Sequence, residues 1–327
     1  MLDFDCAIYF FLLLIDYFLL LYILYFQDLL PKRSSIWTCH LAQSVIIGAN
    51  GEDLLEDLSI ESLFDIIESQ SDNCSNTAYT KSLSILQCIS KHLSLVKNSG
   101  IDEKLKLDHG SLLKKYENYA LTNLNFGIDR VRYNVKGVFD KVIELYNVMK
   151  LDKNLHQLIQ TVLAMSWESK SKSRALTSIA KENMKLMLEL SPSLPQKVSE
   201  LVLDPTIESI AADLYENLMK RAYDNQDSDN WIQTWIMPIL EIIDEESITI
   251  MRLLKTSLKL NRDKVINTLV LSSEDKPNLS LVCLRLDRLN GGEQWRKHMD
   301  DVIVPALTHF EDCIRILALD LLISSKR

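Results

Sequence analysis

Glu311-Asp312-Cys313-Ile314-Arg315-Ile316-Leu317-Ala318-Leu319-Asp320-Leu321-Leu322, reached through Pro305-Ala306-Leu307-Thr308-His309-Phe310, decides the fold class of this chain. The same order of residue types occurs earlier. Asp129-Arg130-Val131-Arg132, followed by Val135-Lys136 and Phe139, again runs acid, β-branched apolar residue, arginine, then apolar residues at helical spacing. An aspartate at a helix start and an arginine three residues on are neighbours on one helical face, while the apolar residues must pack against adjacent helices. Each copy therefore predicts a helix that needs neighbours. Short helical hairpins stacked in this way form an α-solenoid, whose continuous core leaves an extended surface for partners.

Composition narrows the choice independently. A chain of 327 residues can bury a large core, and 47% hydrophobic with 25% charged residues excludes a mainly disordered protein. Eight Gly and seven Pro are too few for the frequent turns of β-sandwiches and barrels, so the fold class expected is all-α. Lys and Arg number 36 against 45 Asp and Glu, a net charge of −9, so any nucleic-acid contact must be local. Cys6, Cys39, Cys74, Cys88, Cys283 and Cys313 form no C-x-x-C pair, and their scatter through apolar helical segments suits reduced core thiols.

Residues 1–30 stand apart. Cys6 to Ile15 and Tyr17 to Phe26 are apolar stretches interrupted by Asp16, with Lys32-Arg33 following. The length could span a bilayer, at a cost of about 3 kcal/mol for Asp16. In that case the remainder would face the cytoplasm. A cleaved signal peptide fits poorly, because Asp3 and Asp5 replace its basic start. The competing reading is a buried helix of the array. Residues 36–327 form the helical-repeat region, and the apolar helix closing at Lys326-Arg327 reads as a truncated array with Leu317, Leu321 and Leu322 exposed.

Apolar residues at helical spacing predict helices over 53–68, 78–96, 111–125, 129–149, 154–166, 174–190, 206–223, 244–260, 263–271, 277–289 and 293–307. Phe126-Gly127 separates the first clear hairpin, Pro192 and Pro195 end a helix pair, and Pro238 kinks or starts a segment. Trp231 and Trp235 share a face at i and i+4 and are expected in the core between repeats.

No catalytic motif is present. The chain lacks a phosphate loop, a dinucleotide fingerprint, a zinc-protease motif and a nucleophile elbow; Gly291-Gly292 stands without the further glycines of a phosphate loop. Its histidines, His40, His92, His109, His156, His298 and His309, are dispersed, so no catalytic residue and no metal site is expected. Two basic features oppose the acidic average. Arg252, Lys255, Lys259 and Arg262 are spaced to form one helical stripe, and Lys170, Lys172 and Arg174 lie in a Ser-rich stretch expected to be a flexible loop. Both are candidate contacts for RNA phosphates, and both are also ordinary solvated surface.

Three motifs in order carry a resemblance. They are Ile128-Asp129-Arg130-Val131-Arg132 with Val135-Lys136 and Phe139; Trp231-Ile232-Gln233-Thr234-Trp235-Ile236-Met237-Pro238; and Ala306-Leu307-Thr308-His309 with Asp312, Ile314-Arg315, Ala318-Leu319 and Leu321-Leu322. In this order the chain resembles the thyroid adenoma-associated protein family over roughly residues 111–327. The resemblance implies a HEAT- or armadillo-like solenoid and a non-catalytic subunit. It implies as partners tRNA and an FtsJ-type methyltransferase, whose S-adenosylmethionine would serve 2′-O-methylation of the anticodon loop. It implies a cytoplasmic place and no cofactor bound by this chain. Family members are far longer, and the first thirty residues have no counterpart in them. A membrane-anchored helical adaptor without RNA function is the alternative.

Overall fold

The computed structural model describes residues 36, 38–40, 42–43, 60–72, 74–99, 110–224, 228–242, 247–271, 277–289 and 291–323. The candidate membrane segment, the first part of the 53–68 helix, Cys6 and His109 lie outside them. Among the described residues the chain is all-α, with helices, turns and no strand. None of these helices is long and apolar enough to cross a membrane. The chain divides into two compact units, one comprising residues up to Met165 with Ser169–Ser178, the other Ser166–Glu168 with Ile179–Arg327.

The first unit contains α1 (Ile60–Glu68), α2 (Ser75–Ser99), α3 (Gly110–Asn123), α4 (Asp129–Val148), α5 (Asp152–Ala164) and the start of α6 (Lys170–Leu190). α1 packs on α2, α2 on α4, α3 on α4 and α4 on α5, so every partner is close in sequence. α4 is central because Val131, Val135, Val138, Phe139, Val142 and Tyr146 are all buried. Each such side chain removed from water contributes about 1.5–3 kcal/mol before conformational entropy is set against it. Gly137 lets α2 and α4 approach closely, since a Cβ there would meet Leu86 Cδ1 at 3.0 Å. Two polar pairs join helices inside the unit, Tyr146 Oη donating to Glu117 at 2.7 Å and Asn134 Nδ2 to Ser82 at 3.0 Å.

The second unit continues α6 and adds α7 (Leu194–Leu201), α8 (Glu208–Tyr223), α9 (Ser228–Trp231), α10 (Met237–Glu241), α11 (Ile248–Leu260), α12 (Arg262–Leu271), α13 (Pro277–Leu289), α14 (Gln294–Lys297), α15 (Val304–Leu307) and α16 (Asp312–Ile323). Here α7 packs on α8, α8 on α11, α11 on α12, α12 on α13 and α13 on α16. Trp231 and Trp235 are fully buried, as expected of core residues. Trp231 Nε1 donates to the Met219 carbonyl at 2.9 Å, and Tyr215 meets the Trp235 ring edge-on at 5.4 Å.

The two copies of the opening motif are built alike. Asp129 and Asp312 each begin a helix and pair with the arginine one turn on, Arg132 and Arg315. Each arginine turns back over the preceding loop. Arg132 Nη1 donates to the Phe126 carbonyl and Arg315 Nη1 to the His309 carbonyl, both at 2.6 Å and both six residues upstream. A second device also recurs. Ile232–Ile236 and Met299–Ile303 are π-helical, and each runs into a short helix with proline near its start, Pro238 and Pro305. Proline donates no hydrogen bond and its ring crowds the carbonyl four residues back, and a widened turn relieves that crowding.

Several sequence expectations need correction. The helix expected over 293–307 is broken into α14, a π turn and α15 by Pro305. Pro192 and Pro195 do not simply end a pair, because Pro195 lies in the first turn of the additional helix α7. The Ser-rich basic stretch is helix rather than loop. Ser169 Oγ accepts from the Ser171 amide at 3.3 Å, so α6 begins four residues before the expected Arg174. On α16, Leu321 is buried, and the exposed apolar residues are Ile316, Leu319 and Ile323. Cys39, Cys88 and Cys283 are buried, whereas Cys74 and Cys313 are exposed rather than core thiols.

Candidate nucleic-acid interface

The predicted basic stripe lies on the second unit, where α8 and α11 run side by side. Their seam is polar. Glu208 pairs with Thr249, Asp213 receives Arg252 at 2.8 Å, and Glu216 accepts from Thr256 at 3.2 Å and from Lys220 at 2.5 Å. Burial pushes the Glu216 carboxyl up, but the Lys220, Thr256 and Arg252 interactions outweigh it and leave its pKa lowered. Arg252 is thus engaged by two acids of the neighbouring helix. Lys255 and Lys259, one turn apart, are exposed and pair with no carboxylate among the described residues.

Arg262 does not continue the stripe on the same helix. Asn261 leaves helical geometry (φ −147°, ψ 77°), and Arg262 opens α12. Its Nε lies 2.8 Å from Oδ1 of Asp287, which is completely buried. Burial raises the Asp287 pKa, with Asp263 adding to the effect and Arg262 and the Gln294 amide opposing it. The turn after α13 is built around this carboxylate. Gly291, at φ 77°, donates its amide to the Arg288 carbonyl at 2.9 Å, and Gly292 donates to the Asp287 carbonyl at 2.8 Å. That pair of bonds closes the helix C-terminus around a left-handed glycine. Gly292 has no space for a side chain, since a Cβ would lie 2.0 Å from Asp287 Oδ1. The Gly-Gly pair therefore has a structural role.

The turn delivers α14 to the start of α12. Between them lies an open cleft of about 660 Å³ with Arg262 and Asp263 on one wall and Glu293, Gln294, Arg296 and Lys297 on the other. Leu260 and Asn261, at the end of α11, complete it. Asp263 accepts from Gln294, and Glu293 pairs with Arg296 at 3.2 Å. Beside the cleft, the Trp295 ring carries two guanidinium groups, Arg288 at 4.2 Å and Arg296 at 5.4 Å from its centroid. Sequence reading missed Arg288, Trp295, Arg296 and Lys297. Its available signal was an aromatic residue flanked by basic ones immediately after a helix-stopping Gly-Gly.

The second basic group behaves differently. Lys170 is exposed at the first residue of α6. Lys172 is buried, its Nζ donating to the Leu163 and Met165 carbonyls at 2.7 and 2.8 Å. It serves as the C-terminal cap of α5. Arg174 Nη1 donates to the Leu124 carbonyl at 2.7 Å, and burial followed by the nearby Arg132 charge lowers its pKa. These two cations secure helix ends. No group of three His, Cys, Asp or Glu side chains among the described residues could hold a metal ion.

The chain matches no family model and no solved structure. Among curated proteins it is 25% identical over 238 residues to the tRNA (32-2′-O)-methyltransferase regulator THADA of Gallus gallus, covering 64% of this chain and 12% of that protein. The regulator of the same name from Canis lupus familiaris is 23% identical over 260 residues, covering 66% and 13%. That of Homo sapiens is 21% identical over 266 residues, covering 67% and 14%. This chain is distantly similar to tRNA methyltransferase regulators. It spans between 12% and 14% of the length of these relatives.

Proposed function

We propose that this chain is part of a non-catalytic HEAT/armadillo-like solenoid that supports 2′-O-methylation of the tRNA anticodon loop by an FtsJ-type methyltransferase. The observation that carries the reading is the similarity, over about two thirds of the chain, to proteins named as regulators of tRNA 2′-O-methylation. The helical architecture supports it. Packing between helices close in sequence, together with the recurring Asp–Arg and π-turn–proline devices, suits repeats that each rest on their neighbours.

In this reading the methyl-transfer chemistry and the S-adenosylmethionine belong to the partner enzyme, and the complex works in the cytoplasm. Lys255 and Lys259 meet tRNA phosphates, with Arg252 held beside them on α11 by Asp213 and Glu216 and Arg262 held at the start of α12 by Asp287. Lys170 supplies a further contact, whereas Lys172 and Arg174 hold the first unit together. Affinity purification of the endogenous full-length protein tests the proposal: a methyltransferase and tRNA should both be recovered. Recovery of neither would refute it.

A further inference from the structure

We propose that the cleft between the starts of α12 and α14 is a phosphate-binding subsite for single-stranded RNA, with Arg296 and Lys297 as its contacts and Arg288 on Trp295 as its rim. This rests on the RNA-facing role proposed above and adds residues, a location and a strand type to it.

Charge placement carries the argument. Arg288 and Arg296 bring two guanidinium groups onto one indole ring. Like charges at such range repel, and a cation–π contact holds each to the ring without neutralising it. Arg288 has no carboxylate partner among the described residues, and its Nη1 is buried with no hydrogen-bond partner. The neighbouring acids already have partners. Asp287 receives Arg262 and the Gln294 amide, Asp263 receives Gln294, and Glu293 receives Arg296. Around the cleft four cations, Arg262, Arg288, Arg296 and Lys297, face three acids, Asp263, Asp287 and Glu293, so the local balance is positive and suits an anion.

The local surface favours a single strand. Guanidinium groups lying over an indole offer flat faces for unpaired bases, and Asn261 on the cleft wall offers an amide to a base edge. Lys255 and Lys259, about 5–6 Å apart on α11, lead toward Leu260 and Asn261 at the cleft wall. A strand following them would pass from the exposed lysines into the cleft.

The test measures binding of the whole 327-residue chain to fluorescent tRNA by anisotropy over a salt series. Variants are Arg296→Gln with Lys297→Gln, Arg288→Met, and a control with Lys153→Gln and Lys185→Gln. The double variant removes two phosphate contacts, so its log–log salt slope should flatten by about 1.4, at roughly 0.7 per contact for a single strand. Affinity should fall about tenfold, with the control unchanged. Arg288→Met keeps the stem on Trp295 and should weaken binding several-fold while the unfolding temperature moves by no more than about 2 °C.

Wild-type binding with an unchanged slope in the double variant overturns the subsite and leaves the RNA reading standing. No tRNA binding by the wild type overturns both. Tighter binding of poly-glutamate than of tRNA, abolished in the double variant, would assign the cleft to an acidic protein and overturn the RNA assignment.

Discussion

Replacing Arg132 by methionine keeps the aliphatic stem and removes two interactions of different strength. The Asp129 carboxylate is 89% exposed, so its ion pair contributes less than about 1 kcal/mol, including its effect on the helix dipole. The bond from Nη1 to the Phe126 carbonyl is 2.6 Å long and partly buried, and a charge-assisted bond of this kind is worth about 1.5–3 kcal/mol. Arg132→Met should therefore cost about 2 kcal/mol, or roughly 4–8 °C in unfolding temperature for a unit of this size, and Asp129→Asn less than half as much. Thermal unfolding followed by circular dichroism measures both. The same ordering is expected for Arg315→Met against Asp312→Asn, since Arg315 makes the matching bond to His309. If Asp129→Asn proved as costly as Arg132→Met, the arginine would act through its ion pair, and the loop clamp would be refuted.

Other parts of the structure give sharper yes-or-no outcomes. Gly292→Ala drives a Cβ into the Asp287 carboxylate and should destabilise the second unit by at least about 2 kcal/mol; an unchanged unfolding temperature would contradict the buried-carboxylate turn. Brief alkylation at pH 7.5 followed by peptide mapping should mark Cys74 and Cys313 in the folded protein. Cys39, Cys88 and Cys283, whose thiols burial pushes up to about 11, 12 and 12, should react only after denaturation. Glu216 has its pKa lowered in the fold, so its contribution is present above the ordinary glutamate value of 4.5 and is lost as pH falls through the folded value. Glu216→Gln should accordingly lose less stability than wild type between pH 7 and pH 3.5, as read by urea unfolding; equal losses would refute the coupling.

The all-α class was legible in the sequence because apolar spacing survives distant packing, and α4 and α16 begin where their motifs predict. The Asp–Arg motif told more than expected: its repetition marked two loops secured by the same backward-reaching guanidinium. Boundaries failed where a local backbone event overrode periodicity. Ser169 capped α6 early, Pro305 widened the preceding turn, and Asn261 separated Arg262 from the lysines spaced to match it. Lys172 and Arg174 were read as surface because charge pattern alone does not show which cations satisfy carbonyls at helix ends. The cleft stayed hidden for a related reason. Arg262 and Lys297 meet only through a turn shaped by the buried Asp287 and by Gly292, and no linear spacing encodes that meeting.

The most direct test of the proposed role is ribose 2′-O-methylation at tRNA position 32 in cells with and without the gene for this chain. The account predicts that methylation falls to a small fraction of its normal level without the gene, that re-expression of the full-length protein restores it, and that the purified protein with S-adenosylmethionine methylates nothing alone. Unchanged methylation in the deletion, or turnover by the purified protein itself, would contradict it.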